Sequence, residues 1–243
     1  MKADNLLSAP LEINRLSIGY ANRAVFENLS LRVNAGEIFG LIGVNGAGKT
    51  SLMKAALSLI EPDAGSVMIF GVSHRLPESR RQAAYLPENF CPPPSMTGVQ
   101  FLRLVLGFHN LGLDRTYADG LAQAIDLETG SIDRRIAGLS KGMAQKIGLL
   151  AAFLTGCPLL ILDEPMSGLD PRARIMLKTQ MQAYRAAQKT IFLSSHILTD
   201  LEELCDRIAV LHDGKLRFTG APELLCAQQN ESTLERAFLS IIQ

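Results

Sequence analysis

The sequence lacks an excess of charge, closely spaced cysteines and a long apolar run. Lys plus Arg and Asp plus Glu each number 24, so the formal net charge is zero. Without a net field of either sign, general attraction to nucleic acid or to an anionic bilayer is not expected, and we predict no nucleic-acid partner. The cysteines have none of the CxxC spacing of zinc or redox sites, and we expect reduced thiols at Cys91, Cys157, Cys205 and Cys226.

The longest uncharged apolar run, residues 147–162, does not predict a membrane-spanning helix. Such a helix needs about 20 apolar residues, whereas this run is shorter and is interrupted by Gly156 and Pro158. It is more typical of the end of a buried helix, a turn and a short buried strand. The first ten residues, MKADNLLSAP, contain too short an apolar stretch for a signal peptide, so we expect a cytoplasmic location.

The hydrophobic pattern predicts an α/β fold with two additions. Alternating apolar and polar residues over 11–33, around an Ala-Asn-Arg turn at 21–23, predict an N-terminal antiparallel β subdomain. Continuous apolar runs then alternate with helical patterns, which predicts a mostly parallel sheet flanked by helices. Between 88 and 155, a proline-rich loop followed by Thr97 as a helix N-cap predicts an inserted α-helical subdomain.

The segment GVNGAGKT, residues 43–50, matches the phosphate-binding pattern GxxxxGK[ST] and stands between a predicted buried strand and a predicted helix. Its glycines let consecutive N–H groups and the helix N-terminus face a polyphosphate. In this pattern Lys49 bridges the β- and γ-phosphates, and the Thr50 hydroxyl coordinates Mg²⁺. The alternative is a glycine-rich turn before an ordinary helix. The predicted nucleotide-binding residues here are Gly43, Val44, Asn45, Gly46, Ala47, Gly48, Lys49, Thr50 and Ser51.

A second segment, LLILDEPMSGLD at 159–170, ends an apolar run directly on Asp163 and Glu164. Burying unpaired charge is unfavourable, so a cation should meet these carboxylates. Beside a phosphate loop, that cation is expected to be the Mg²⁺ of a nucleotide, with Asp163 as its ligand. Glu164 is then close enough to deprotonate an attacking water as a catalytic base. The alternative is that both carboxylates are solvated at a strand end.

With these motifs in this order, the chain resembles the nucleotide-binding subunit of ABC transporters over about residues 11–220. LSKGMAQK at 139–146 is similar to the signature motif of that family, and LILDEP is similar to its Walker B motif with the adjoining Glu. SGLD at 167–170 resembles the D-loop, and the SSH that ends at His196 resembles the segment of the switch histidine.

The resemblance implies ATP and Mg²⁺ as cofactors and ATP hydrolysis as the activity. It divides the chain into a nucleotide-binding core at 11–87 and 156–220, a helical subdomain at 88–155, and a short helical tail at 221–243.

The histidines other than His196 have polar or turn-like neighbours, so we expect them at the surface: His74, His109 and His212.

The same resemblance implies that two copies pack head to tail and enclose two ATP molecules between them. Ser140 and Gly142 would contact the γ-phosphate held by the other copy, and Asp170 would reach the partner. His196 would contact the γ-phosphate as a catalytic residue. Tyr20 occupies the position of an aromatic residue that stacks on adenine, and the alternative is a tyrosine that packs at a strand end.

Two departures from the family pattern concern the site. In LSKGM, Lys141 and Met143 replace the usual Gly and Gln, while Ser140 and Gly142 remain, so the ATP contact is expected to persist. In YLPENF at 85–90, Glu88 stands where the family usually has Gln. An ionised Glu only accepts hydrogen bonds, so Glu88 is expected to bind Mg²⁺ as a metal ligand and to repel the γ-phosphate if it is displaced.

The resemblance also implies a separate transmembrane permease subunit, with this chain peripheral on the cytoplasmic face of the membrane. The compact cassette is similar to export-type subunits. The alternative is a non-transporting ABC-type ATPase that acts as a nucleotide-gated assembly or signalling factor with a membrane partner. The apolar, stiff stretch after Glu88 is a candidate contact with the permease, and packing within the helical subdomain is the equal alternative for Phe90, Pro92, Pro93, Pro94 and Met96.

Overall fold

The computed structural model describes residues 8–20 and 23–242. Ala21 and Asn22, which belong to the turn predicted at 21–23, lie outside the described residues. The strands are β1 (Leu11–Tyr20), β2 (Arg23–Val33), β3 (Ile38–Ile42), β4 (Ala64–Ile69), β5 (Val72–Ser73), β6 (Ala83–Leu86), β7 (Leu159–Asp163), β8 (Thr190–Ser194), β9 (Arg207–His212) and β10 (Lys215–Gly220). The α-helices are α1 (Lys49–Ala56), α2 (Pro77–Arg80), α3 (Gly98–Phe108), α4 (Arg115–Ala124), α5 (Lys141–Leu154), α6 (Pro171–Ala186), α7 (Leu198–Leu204), α8 (Pro222–Gln229) and α9 (Leu234–Ile242).

The central sheet has the strand order β10-β9-β3-β8-β7-β6. Strands β9, β3, β8, β7 and β6 run parallel, and β10 pairs antiparallel to β9 at one edge. Every residue of β3, β7 and β8 is buried, which explains why these strands are continuous apolar runs in the sequence. The predicted mostly parallel sheet is therefore confirmed, and the carboxyl ends of its strands meet at one edge.

The N-terminal strands form a separate antiparallel sheet with the order β2-β1-β4-β5, as the alternating pattern predicts. This sheet and α1 cover one face of the central sheet. The two faces hold separate apolar clusters because side chains alternate along each strand. In β3, Phe39 and Leu41 pack toward the N-terminal sheet, whereas Ile38 and Ile42 pack with the helices on the other face.

The helical region after β6 begins as predicted, with Thr97 capping α3. The Thr97 hydroxyl accepts a hydrogen bond from Gln100 N at 3.2 Å, and the Gln100 side chain accepts one from Thr97 N at 2.8 Å. Within the proline-rich stretch, Phe90 packs edge-on against Phe101, Met96 is partly buried in the same cluster, and Pro92 is buried. Phe90, Pro92 and Met96 therefore pack against neighbouring residues of the same chain, as the second alternative predicted. Pro93 and Pro94 are exposed.

The pattern from 49 to 60 predicts a longer helix than the structure contains, because α1 ends at Ala56. Ser58 adopts a left-handed backbone conformation with φ of 57° and stops the helix.

Near the C-terminal end of the described residues, α8 and α9 pack on α7, with Leu234 and Phe238 buried. Within residues 8–20 and 23–242, no helix has both the length and the apolar character needed to cross a bilayer.

The expectation that His74 lies at the surface is wrong. The β4–β5 hairpin turns this side chain inward, where it is only 2% exposed and its Nδ1 donates to Val67 O at 3.1 Å. Burial lowers the pKa of His74, and the charges of Arg75 and Arg80 add to this effect. The Val67 carbonyl and Glu61 raise the pKa by less. His109 and His212 are partly buried rather than fully exposed, and burial also lowers the pKa of His109. All four cysteines are free thiols, as expected.

Candidate functional site

The segment 43–50 forms a tight loop between β3 and α1 at the carboxyl edge of the central sheet. Gly43 lies so close to the chain that a Cβ there would meet Leu211 O at 2.6 Å. Gly48 has φ of 103°, and a Cβ on it would meet Val25 Cγ1 at 2.5 Å. Glycine at these two positions is therefore required by space and by backbone conformation.

The N-terminus of α1 offers backbone donors without a side-chain cap. Gly48 is the N-cap residue and supplies no side-chain hydrogen bond, and no acidic residue stands in the first turn. The first N–H groups of a helix have no partner within the helix, and the helix dipole favours an anion there. Lys49, 7% exposed, begins the helix and donates from Nζ to Gly43 O at 2.7 Å within the loop. These features fit a polyphosphate anion.

Asp163 ends β7 next to the start of α1, with a completely buried side chain. Its Oδ2 accepts a hydrogen bond from Thr50 Oγ1 at 2.7 Å. Two of the three side chains predicted to hold Mg²⁺ are thus brought together, although β8 separates β7 from the strand that carries the phosphate loop. Their oxygen donors suit a hard cation.

Ser194, at the end of β8, links the two carboxylates and was not predicted from the sequence. Its hydroxyl donates to Asp163 Oδ1 at 2.6 Å and accepts from Glu164 N at 3.0 Å. The parallel pairing of β7 with β8 sets Asp163 opposite Ser194. In the sequence Ser194 is the first residue of the SSH segment, at the end of an apolar run, and neither feature specifies which strand lies beside it.

Glu164 is held in place by its backbone and by three contacts with two neighbours, His196 and Lys49. Its φ of 50° lies in the left-handed region, which is uncommon for a residue with a side chain and is often found at functional sites. Its Oε2 accepts hydrogen bonds from His196 Nδ1 at 2.7 Å and from His196 N at 3.3 Å, and its Oε1 lies 3.9 Å from Lys49 Nζ. Glu164 is 6% exposed, so the alternative of a freely solvated carboxylate does not describe it.

A cavity of about 550 Å³ opens over the loop and collects most of the predicted site residues. A neighbouring cavity of about 720 Å³ continues along β2 and the β9–β10 turn. Tyr20 lines both cavities and is 51% exposed, so it is not packed in the core. Val44 lines the second cavity, and Gly43 supports the loop from behind. The predicted residues that line the first cavity are Tyr20, Asn45, Gly46, Ala47, Gly48, Lys49, Thr50, Ser51, Glu88, Asp163, Glu164 and His196.

Glu88 lines the cavity but is exposed. Within the described part of the chain, no three His, Cys, Asp or Glu side chains form a group that could hold a metal ion. The predicted set of Thr50, Asp163 and Glu88 is therefore assembled only in part, with Thr50 and Asp163 in contact and Glu88 at the rim.

The predicted trans contacts do not line this cavity. The Ser140 hydroxyl accepts from Met143 N at 3.2 Å as the N-cap of α5, and a Cβ on Gly142 would meet Gly168 O at 3.0 Å. Asp170 caps α6 and accepts from Ala173 N at 3.0 Å. That hydrogen bond, with a contribution from the Lys146 charge, lowers the pKa of Asp170.

A charged cluster that the sequence did not reveal joins the signature helix to the start of α6. Lys146 Nζ lies 3.1 Å from Asp126 Oδ2, and Arg172 Nε lies 3.3 Å from Asp126 Oδ1. Lys146 lies in α5 and Asp126 follows α4, whereas Arg172 lies in the first turn of α6. The cluster depends on tertiary placement of residues that are far apart in sequence.

The fold and the loop geometry define a P-loop nucleotide-binding protein. The sequence profile of the ABC transporter family matches residues 26–167. The chain is 33% identical to Nod factor export ATP-binding protein I of Burkholderia pseudomallei over 89% of its length and 72% of that protein. It is 38% identical to an uncharacterized ABC transporter ATP-binding protein of Nostoc sp., over 83% of its length but only 61% of that relative. The chain therefore belongs to the ABC transporter ATP-binding proteins.

Solved structures agree with this family. A structure described as the ATP-binding subunit of an ABC transporter superposes with a TM-score of 0.85 at 33% identity, covering 96% of this chain and 99% of that one. A dimeric bacterial ABC transporter cassette superposes with a TM-score of 0.79 at 20% identity, covering 87% of this chain and 98% of that one, and supports the fold alone. The predicted family and fold class are confirmed.

Proposed function

We propose that this chain binds and hydrolyses ATP to drive a separate membrane subunit of an exporter. The observation that carries the proposal is the continuous hydrogen-bonded row from Thr50 through Asp163 and Ser194 to Glu164 and His196, set against the uncapped start of α1. A phosphate-binding loop alone would need no such buried row of carboxylates and hydroxyls.

Each residue of the row has a role that follows from its contacts. Lys49 and the first N–H groups of α1 bind the phosphates, and Thr50 and Asp163 hold Mg²⁺. Mg²⁺ held by these two side chains would supply positive charge to offset the charge that develops on the phosphates during hydrolysis. Ser194 fixes the orientation of Asp163. Glu164, whose other neighbours already occupy Oε2, takes the proton from the attacking water.

His196 and Tyr20 act at opposite ends of the nucleotide. The His196 side chain is half exposed at the cavity, where it orients Glu164 and contacts the γ-phosphate. Tyr20 offers an exposed aromatic face between the two cavities, which suits stacking on a base without reading its hydrogen-bonding groups.

The proposal includes a second copy of the chain. Ser140 and Asp170 are exposed and lie away from the cavity of their own protomer, so they can reach a nucleotide only across an interface. In a head-to-tail pair, the start of α5 and the D-loop face the phosphates held by the partner. Export is supported by the relatives named for Nod factor export, and a separate permease is the partner we infer for an ATP-binding protein of the ABC transporter family. A peripheral position on the cytoplasmic face follows from this role.

The test is nucleotide-dependent dimerisation of the purified chain carrying Glu164→Gln. Removing the base should keep ATP binding, lower turnover by about 10²-fold or more, and accumulate a dimer in size-exclusion chromatography with Mg²⁺ and ATP. The matched control is Lys49→Ala, which should lose nucleotide binding and stay monomeric. Unchanged hydrolysis in Glu164→Gln would remove this residue from the base role. Vesicle transport with the co-purified membrane subunit separates an exporter from a non-transporting assembly factor.

A further inference from the structure

Strand register places Tyr85 next to the candidate metal site. Tyr85 is the third residue of β6, and the parallel pairing sets it opposite Ile161 of β7. Asp163 lies two residues further along β7, so all three side chains point to the same face of the sheet. The phenol ring packs in the apolar cluster that contains Ile161, and two residues span about 6.6 Å along a strand. The hydroxyl end of Tyr85 can therefore extend toward the carboxyl end of β7.

The Tyr85 hydroxyl is buried and has no hydrogen-bond partner among the residues that the structure describes. A buried polar group without a partner is unfavourable and calls for an explanation. Burial raises the pKa of Tyr85, and the negative charges of Asp163 and Glu88 raise it further. The phenol thus stays protonated near neutral pH and can donate a hydrogen bond. The two nearby carboxylates, Asp163 and Glu88, can only accept hydrogen bonds.

Glu88 is the acceptor that can move to this donor. It follows Tyr85 by three residues, immediately after β6 ends, and its side chain is exposed at the rim of the same cavity. Asp163 already accepts one hydrogen bond on each oxygen, from Thr50 and from Ser194, and Tyr85 donates to neither oxygen. In this state Tyr85 has a free donor within the described residues, and the Glu88 side chain is exposed at the same edge of the sheet.

We propose that Tyr85 is a positioning residue whose hydroxyl donates a hydrogen bond to the Glu88 carboxylate when Mg²⁺ and nucleotide bind, and so holds Glu88 beside Asp163. The inference rests on the proposed function, because it assigns a role to Tyr85 in the same site. The inference also explains why Glu88 could be favoured over the Gln that is usual at this position. An ionised carboxylate accepts a stronger hydrogen bond from a phenol than a neutral amide does.

The test compares Tyr85→Phe, Glu88→Gln and the double variant in the full chain. The readout is the Mg²⁺ concentration that gives half-maximal binding of a fluorescent ATP analogue, with binding in EDTA measured in parallel. Tyr85→Phe should raise the required Mg²⁺ about threefold to fivefold, no more than Glu88→Gln does, and leave metal-free binding unchanged. Because the two residues act as a pair, the double variant should show no further loss beyond the single variants.

The melting temperature without nucleotide separates positioning from a structural role. Loss of a partnerless buried hydroxyl should leave the melting temperature of Tyr85→Phe unchanged or raise it. Tyr184→Phe is the matched control, since the Tyr184 hydroxyl is buried and donates to Cys157 O. That control should melt at a lower temperature with an unchanged Mg²⁺ requirement.

Three results would overturn the inference. A lower melting temperature for Tyr85→Phe with an unchanged Mg²⁺ requirement would make the hydroxyl structural. Fully additive losses in the double variant would show that Glu88 is not its partner. If the wild-type chain shows no Mg²⁺-dependent nucleotide binding, the proposed function fails first and the role of Tyr85 fails with it. If wild-type binding is intact and only the Tyr85 result is negative, this inference alone is refuted.

Discussion

Replacing Ser194 by alanine should weaken both the folded protein and its candidate metal site. The hydroxyl donates to Asp163 Oδ1 at 2.6 Å and accepts from Glu164 N at 3.0 Å. Alanine removes both bonds and leaves a buried amide donor and one oxygen of a fully buried carboxylate without a partner. Thr50 still holds the second oxygen, so Asp163 remains near the loop but is free to rotate.

The change in the free energy of unfolding caused by Ser194→Ala is the sum of these two losses. A hydrogen bond to a charged group contributes about 1.5–3 kcal/mol, and a buried group left without a partner costs about 1–3 kcal/mol. The free energy of unfolding should therefore fall by about 3–5 kcal/mol. For a chain of this size, each kcal/mol lowers the melting temperature by about 2–4 °C, which gives a fall of roughly 10 °C. Loss of the group that orients a metal ligand should also weaken Mg²⁺-dependent nucleotide binding by about tenfold or more.

The assay pairs thermal unfolding without nucleotide with titration of Mg²⁺ and an ATP analogue. Thr190→Val is the control because Thr190 lies at the opposite end of β8, is 2% exposed, and accepts from Gly36 N at 3.0 Å. Thr190→Val should lower the melting temperature and leave nucleotide binding intact. If Ser194→Ala melts within about 2 °C of the wild type, or if both variants lose nucleotide binding equally, the role assigned to Ser194 is wrong.

Two further predictions concern charge. Glu88→Gln should raise the Mg²⁺ concentration needed for half-maximal nucleotide binding about fivefold and strengthen metal-free ATP binding, since a unit charge near the phosphates is removed; equilibrium titration with and without EDTA measures both. The pH dependence of stability should include His74, whose pKa in the folded state is lowered mainly by burial. Below about pH 6.5 the unfolded chain takes up a proton that the folded chain resists, so stability falls as the pH falls. Urea unfolding at several pH values should show that the free energy of unfolding falls less at low pH in His74→Gln than in the wild type.

Each of these predictions has a contrary outcome. For Glu88→Gln, opposite shifts in the two titrations are required, and a parallel loss in both would indicate general damage to the site. For His74, burial also lowers the pKa of His109, so part of the pH dependence should remain in His74→Gln. An identical pH profile in the variant and the wild type would show that His74 is free to take up a proton in the folded state.

The sequence predicted those parts of the fold and site that depend on local pattern. The apolar run before Asp163 became a strand in which every residue is buried, and Thr97 caps α3 as its position indicates. Short elements escaped prediction, such as β6, whose four residues carry no clear alternation. The roles of Ser194 and Tyr85 depend on which strands lie beside β7, and strand order is set by long-range packing that no local window contains.

Val25 of β2 touches the site at several points. A Cβ on Gly48 would meet its side chain, a Cβ on Gly214 would meet its carbonyl at 2.8 Å, and Val25 lines both cavities. The N-terminal sheet therefore covers one face of the central sheet and also contributes a wall to both cavities. Because one residue of β2 lines both cavities and lies against Gly48 of the loop, we expect a substitution at Val25 that displaces β2 to change both cavities together.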